Sequence, residues 1–154
     1  MTTRRRQRLP LTAYEIEGSA WHVTVDVARR NGAPFQNIMF AREILECVSH
    51  ACERDEAVLH LICVMPDHLH ALIEVRTVDL IKVVGRAKSA TSRIWWGRGG
   101  AGALWQQSFY DRGIRASQDF ETTMTYILDN PVKAGLVEEW EHYPPIGGTI
   151  IADW

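Results

Sequence analysis

With 154 residues, 46% of them hydrophobic, the chain can bury one core but is short for two domains of ordinary size. It has no run near the roughly 20 apolar residues of a membrane span, and no apolar stretch follows its basic N-terminus, so a cytoplasmic protein without a secretory leader is expected. The net charge of −2 excludes a uniformly basic nucleic-acid binder, yet four arginines and no acid occupy residues 1–10, and eight basic against two acidic groups occupy residues 76–115.

Phosphate binding needs a local positive field rather than a positive total, so these two blocks keep nucleic acid open as a partner. Residues 1–12 read as a basic arm, 13–145 as one folded domain and 146–154 as a short tail. Trp21 to Val27 alternates apolar and polar side chains, which predicts a half-buried strand. Asn31-Gly32-Ala33-Pro34 signals a loop. Phe40, Ile44, Leu45, Val48, Ala51 and Cys52 recur at helical spacing. Val58 to Met65 is an apolar run suited to a buried strand, Met65-Pro66-Asp67 a turn, and Leu69 to Val75 a third strand. Asp79 is placed to cap a helix with a stripe of Leu80, Val83, Val84, Ala87, Ala90 and Ile94. Gly97 to Gly102 is a flexible loop and Leu104 to Ile114 a fourth strand. Ser117 is the expected cap of a last helix, with Asp119 and Glu121 in its first turn and an end near Asn130, because Pro131 restricts the residue before it. Cys47, Cys52 and Cys63 lie in apolar-patterned segments without CxxC spacing, which predicts reduced core thiols. The element order predicts an α+β, ferredoxin-like βαββαβ sandwich with an additional C-terminal helix that carries Tyr126.

The third strand holds the first candidate site. Alternation puts Leu69, Ala71, Ile73 and Val75 on one apolar face and His68, His70, Leu72 and Glu74 on the other. Two imidazoles two residues apart on one strand face point the same way, as ligands of one metal ion do, although histidines satisfied within a core give the same pattern. Glu74 sits roughly 13 Å along from His70 at about 3.3 Å per residue, too far to share that ion. His22, Thr24 and Asp26 share the polar face of the first strand, so His22 either approaches the same place or is structural. His60 reads as core, and His50 and His142 as surface. On the last helix Phe120, Met124, Ile127 and Leu128 form the apolar stripe, and Tyr126 lies about 150° from its middle at 100° per residue. Asn130, four residues on, shares the face of Tyr126. A presented phenol can serve as a nucleophile, and a rim tyrosine beside a capping asparagine is the plainer alternative. Tyr110 and Tyr143 are rival phenols without a metal-ligand candidate four residues on along a helix.

Met65-Pro66-Asp67-His68-Leu69-His70 resembles the His-hydrophobic-His motif of the HUH single-tyrosine transposases. The stretch Tyr126-Ile127-Leu128-Asp129-Asn130-Pro131 through Val137 resembles the distal motif of the REP-associated tyrosine transposases among them. Trp105-Gln106 followed by Tyr110-Asp111 resembles the strand before that motif, and the likeness spans residues 14–145. Asp67 stands where many relatives have Asn, and Ile146-Gly147-Gly148 departs from their serine pair.

The resemblance implies that His68, His70 and Asn130 hold Mg²⁺ or Mn²⁺ and that Tyr126 is the nucleophile. It further implies strand cleavage of single-stranded or hairpin DNA through a 5′-phosphotyrosine link, and it leaves oligomeric state open between monomer and homodimer. Lys82, Arg86, Lys88, Arg93 and Arg98 of the basic helix and its following loop, together with Arg4, Arg5 and Arg6 of the arm, are the first candidates for DNA contacts. Trp95 or Trp96 could stack on an unpaired base. A non-catalytic DNA binder descended from a transposase is the alternative. An RNA binder ranks below both, because the second and third strands lack paired aromatics.

Overall fold

The computed structural model describes residues 19–151, so the arm with Arg4, Arg5 and Arg6 lies outside the described residues. Strand β1 is Ser19–Asp26, helix α1 Ile38–Arg54, strand β2 Val58–Met65, strand β3 His68–Val75, helix α2 Leu80–Gly97, strand β4 Tyr110–Ile114, helix α3 Ser117–Lys133 and strand β5 Ile146–Gly147. The sheet runs β4-β1-β3-β2-β5 with every pair antiparallel. No helix among the described residues is long and apolar enough to cross a membrane.

Alternation sorts the two sheet faces as the sequence pattern requires. Trp21, Val23, Val25, Leu69, Ala71, Ile73 and Val75 join the larger core under α1 and α2. Leu61, Cys63, Met65 and Leu72 face the other way, into a smaller core with Ile127, Tyr143 and Ile146. Strand β2 changes phase on the way: Leu59 belongs to the larger core and Leu61 to the smaller, because the register with β3 shifts between them. That irregularity turns His60 out of the expected core. Its ring is edge-on to Phe120, and its Nε2 lies 3.3 Å from Glu74 Oε1.

Several local expectations change for physical reasons. The segment Asn31–Pro34 is bounded by two short 3₁₀ turns, Arg29–Asn31 and Pro34–Gln36. The fourth strand is confined to Tyr110–Ile114; Trp105 makes only an isolated bridge to Val27, and its Nε1 donates to Thr91 Oγ1 at 2.8 Å. Helix α1 is capped by Asn37, whose side chain accepts from Phe40 N, and α2 by Asp79, whose side chain accepts from Lys82 N. Helix α3 is not capped by Ser117: Ala116 takes the N-cap position, offers no side-chain acceptor, and Ser117 is already helical. Nor does α3 stop at Asn130. Pro131 is buried inside the helix, which continues to Lys133. The end is closed by backbone bonds from Ala134 N to Asn130 O and from Leu136 N to Pro131 O, with Gly135 in the left-handed region at φ 74°. The segment read as a tail enters the sheet, where Ile146 and Gly147 pair with Cys63 and Ile62. All three cysteines are free thiols; Cys52 and Cys63 are buried and Cys47 is half-buried.

Candidate active site

The two-residue period of β3 aims His68 and His70 off the same sheet face, and their rings stand 4.9 Å apart at 89°. Strand β1 runs beside them, pairing Asp26 with His68 and Thr24 with His70. Its polar face supplies partners for His70. His22 Nε2 lies 3.0 Å, and Thr24 Oγ1 3.1 Å, from His70 Nδ1. With Nδ1 so engaged, the ring orientation of His70 is fixed and Nε2 is left as its other ligating atom. His68 is oriented in the same manner, with Nδ1 2.7 Å from Asp67 Oδ1. His22 therefore lines the same cleft beside His70.

Helix α3 crosses this face. Ile127 is fully buried against Leu61, Cys63 and Leu72, and its neighbour Tyr126 is half exposed. The Tyr126 ring lies 5.8 Å from both the His70 and His22 rings. One turn on, Asn130 Nδ2 donates to Tyr126 O at 3.0 Å, and the Asn130 side chain is also a hydrogen-bond partner of His70. The sequence-predicted His68, His70, Tyr126 and Asn130 thus meet in one cleft of about 790 Å³.

Burial, reinforced by His68 and His22, lowers the pKa of His70 to about 3. Burial and then the Arg112 guanidinium lower His22 to about 4. Both rings are neutral at pH 7, the form that carries a free lone pair for a metal. Among the described residues no group of three or more His, Cys, Asp or Glu side chains is placed to hold a metal ion. Asn130 adds an amide oxygen to the cleft that holds His68 and His70, a donor of the kind a hard divalent ion can take. Two imidazoles and one amide leave several positions to water or phosphate, which suits Mg²⁺ or Mn²⁺.

The rival phenols separate. Tyr143 is buried, donates its hydroxyl to Val64 O at 2.7 Å, and has its pKa raised by burial. Tyr110 is half-buried and lines the cleft. Glu74 stays away from it, bound to Arg76 and His60. The cleft also takes in Arg29 and Gln106, which sequence reasoning did not select. Arg29 lies in a loop without periodicity and offered no signal; Gln106 lay in a motif noted only for likeness.

The basic helix α2 packs under the opposite sheet face, among the larger core. Its Arg86 pairs with the buried carboxylate of Asp55. Lys88 Nζ donates to Gln106 O at 2.8 Å, and Lys82 Nζ lies 3.8 Å from Asp79. Just past the helix, Arg98 binds Glu43 at 3.0 Å and covers the Phe40 ring. Arg93 is exposed at the groove between α1 and α2. Trp95 stacks beside Phe40, and exposed Trp96 donates to Gly102 O at 2.8 Å.

Comparison with known proteins places this geometry in context. The sequence model of the family described as "Transposase IS200 like" matches residues 15–130. The chain is 25% identical over 132 residues to the REP-associated tyrosine transposase of Escherichia coli K12, covering 85% of this chain and 77% of that one. It is 26% identical over 120 residues to a Haemophilus influenzae relative named for the same group, covering 68% of this chain and 66% of the relative, just under two thirds of its length. In fold it is similar to a REP-associated tyrosine transposase solved with a REP hairpin, with TM-score 0.71 at 22% identity over 94% of this chain and 81% of that one. A Deinococcus radiodurans protein described as a transposase gives TM-score 0.54 at 17% identity, over 75% of this chain and 92% of that one.

Proposed function

The chain belongs to the IS200-like transposase family, and from that premise we propose that it is a cytoplasmic, metal-dependent single-strand DNA endonuclease and strand transferase acting on hairpin, palindromic-repeat DNA through Tyr126. The observation that carries this reading is the meeting of a half-exposed tyrosine with two histidines and an asparagine in one open cleft. The hairpin comes from the structural relative, which was solved with a REP hairpin. In this reading the strand order β4-β1-β3-β2 is the ferredoxin-like frame that sets β3 at the centre of the sheet.

His68, His70 and Asn130 would hold Mg²⁺ or Mn²⁺, which when bound supplies Lewis-acid stabilisation of charge developing on the scissile phosphate. The protein's own groups do the rest. Asp67 and Thr24 fix the two rings. Ile127 anchors α3 so that Tyr126 faces the cleft. Tyr126 Oη attacks phosphorus, the bond to the 3′ oxygen breaks, the phenol proton is lost to solvent, and the leaving oxygen takes up a proton. The product is a 5′-phosphotyrosine ester and a free 3′-hydroxyl. Attack of that hydroxyl, or of one on another DNA end, reverses the step and rejoins DNA without ATP, because the ester retains the bond energy. DNA running beyond the cleft would be the partner of the α2 cations Lys82 and Arg93, which lie on the far side of the sheet.

The test is covalent adduct formation on a labelled hairpin strand with Mn²⁺. The wild-type chain should form an adduct, and Tyr126→Phe should form none while binding the hairpin. Normal cleavage by that variant would remove Tyr126 as nucleophile. Binding by the wild type with no adduct on any palindrome would favour the non-catalytic DNA binder.

A further inference from the structure

Helix α3 carries Tyr126, yet its apolar contacts do not by themselves fix its rotation. Ile127 is buried in the smaller core, and Phe120, Met124 and Leu128 pack partly buried around it. Apolar contact is not directional, so a small turn about the helix axis exchanges one of these side chains for another. The first turn adds no restraint through a cap, since Ala116 at the N-cap offers no side-chain acceptor.

A polar stripe supplies the missing direction. Asp119, Thr123, Tyr126 and Asn130 follow one another at intervals of four, three and four residues, which is one face of a helix. Opposite this stripe the sheet presents Arg112 of β4, its strand partner His22 of β1, and His70 of β3. The Tyr126 ring lies 5.8 Å from both imidazoles, and Asn130 is a hydrogen-bond partner of His70. Arg112 holds the other end of the stripe. Its Nη1 donates to Asp119 Oδ1 at 2.9 Å and its Nη2 to Thr123 Oγ1 at 2.6 Å. These acceptors stand one turn apart on α3. Thr123 is buried, and its hydroxyl donates in turn to Asp119 O at 2.8 Å. The hydrogen bond from Arg112 holds the Asp119 carboxyl below the usual carboxylate range, so it stays an ionised acceptor.

An arginine in this place needs a specific reason. A cation beside the first turns of a helix opposes the helix dipole, and an exposed Arg–Asp pair adds little stability. What the planar guanidinium adds is direction, because its N–H groups are fixed in one plane and match one placement of two acceptors. Turning α3 by one residue, about 100°, takes both acceptors off this fork and takes Tyr126 off the histidines with them.

We propose that Arg112 is a positioning residue: by gripping Asp119 and Thr123 it sets the rotation of α3 and so aims Tyr126 and Asn130 at His70. Its consequence for catalysis rests on the nicking reading of the cleft, whereas the aim of the ring is measurable without it.

The experiment replaces Tyr126 by 3-fluorotyrosine and follows its fluorine NMR resonance in the full chain, with adduct formation on a labelled hairpin in Mn²⁺ read separately on the chain with ordinary tyrosine. The two imidazoles should shift the resonance away from its position in the urea-unfolded chain. Arg112→Ala should move it back toward that position, and Arg112→Lys, which reaches one acceptor at a time, should fall between. At saturating hairpin, Arg112→Ala should form adduct about ten- to a hundredfold more slowly, and adding Asp119→Asn should cost no more. In the Tyr126→Phe chain, Arg112→Ala should leave the slope of log hairpin affinity against log salt unchanged. A slope lower by about one would make Arg112 a phosphate contact and overturn the proposal. An unmoved resonance in Arg112→Ala overturns it as well, even if urea stability falls, because the pair is then merely stabilising. The predicted resonance shifts without adduct from the wild-type chain on any palindrome refute nicking and keep the positioning role.

Discussion

Ile127→Ala tests whether the tyrosine is positioned by its immediate chain neighbour. Only Thr123, Ile127 and Pro131 are buried on α3, and Ile127 is its one fully buried large apolar side chain. Truncation removes three carbons, worth about 2.4 kcal/mol at about 0.8 kcal/mol each, and the cavity left behind raises the loss to about 3–4 kcal/mol. The smaller core it belongs to is separated by the sheet from the larger one that holds α1 and α2. The loss should therefore appear first as undocking of α3. Hydrogen exchange of α3 amides should accelerate by roughly 150- to 900-fold at about 1.4 kcal/mol per factor of ten, while amides in β1 and β3 keep their protection until global unfolding. Ile44→Ala, in the larger core under α1, should instead lower the protection of all slowly exchanging amides together. Uniform acceleration in Ile127→Ala, or a change below about 1 kcal/mol, would show that α3 is not held by this contact. Adduct formation should fall with α3 protection, because Tyr126 moves with Ile127.

The protonation of the histidines sets a pH dependence. In the metal-free chain His70 and His22 have folded pKa values of about 3 and about 4, against about 6.5 when unfolded. Both are neutral in either state above pH 6.5, where stability is fully present; below it the unfolded chain takes up protons that the folded chain refuses. Urea midpoints should fall as pH drops from 7 to 5, by about 1–2 kcal/mol for His70 and less for partly exposed His22, and His70→Leu should flatten the curve. A midpoint that stays level in the wild type would contradict the burial of these rings. Asp67→Ala should weaken Mn²⁺ binding about tenfold by calorimetry, because His68 loses the carboxylate 2.7 Å from Nδ1, whereas Asp67→Asn keeps an acceptor there and should bind nearly as well. Equal affinity in both variants would mean that Asp67 does not orient the ring.

Local periodicity was enough to determine which way the chemical groups face. The two-residue period of β3 put His68 and His70 on one side and Leu69, Ala71 and Ile73 on the other, and the helical period turned Tyr126 away from Ile127. Asp79 was legible as a cap because an N-cap is settled within four residues. What sequence could not determine depends on contacts between distant segments. The register of β1 against β3 brings His22 and Thr24 to His70 across some 46–48 residues. The register shift in β2 reverses its faces at His60, and an unbroken apolar run gives no sign of it. Burial of Pro131 carries α3 past the point where local sterics predict its end, and pairing with β2 draws Ile146–Gly147 into the sheet. The charge-rich helix α2 showed a cationic stripe in sequence, but only tertiary packing decided that it lies on the far side of the sheet, while among the described residues Arg29 alone of the Arg and Lys side chains lines the cleft. Periodicity fixes a side chain's direction relative to its own backbone. Which group stands opposite it is set by long-range packing, and the proposed chemistry depends on that opposition.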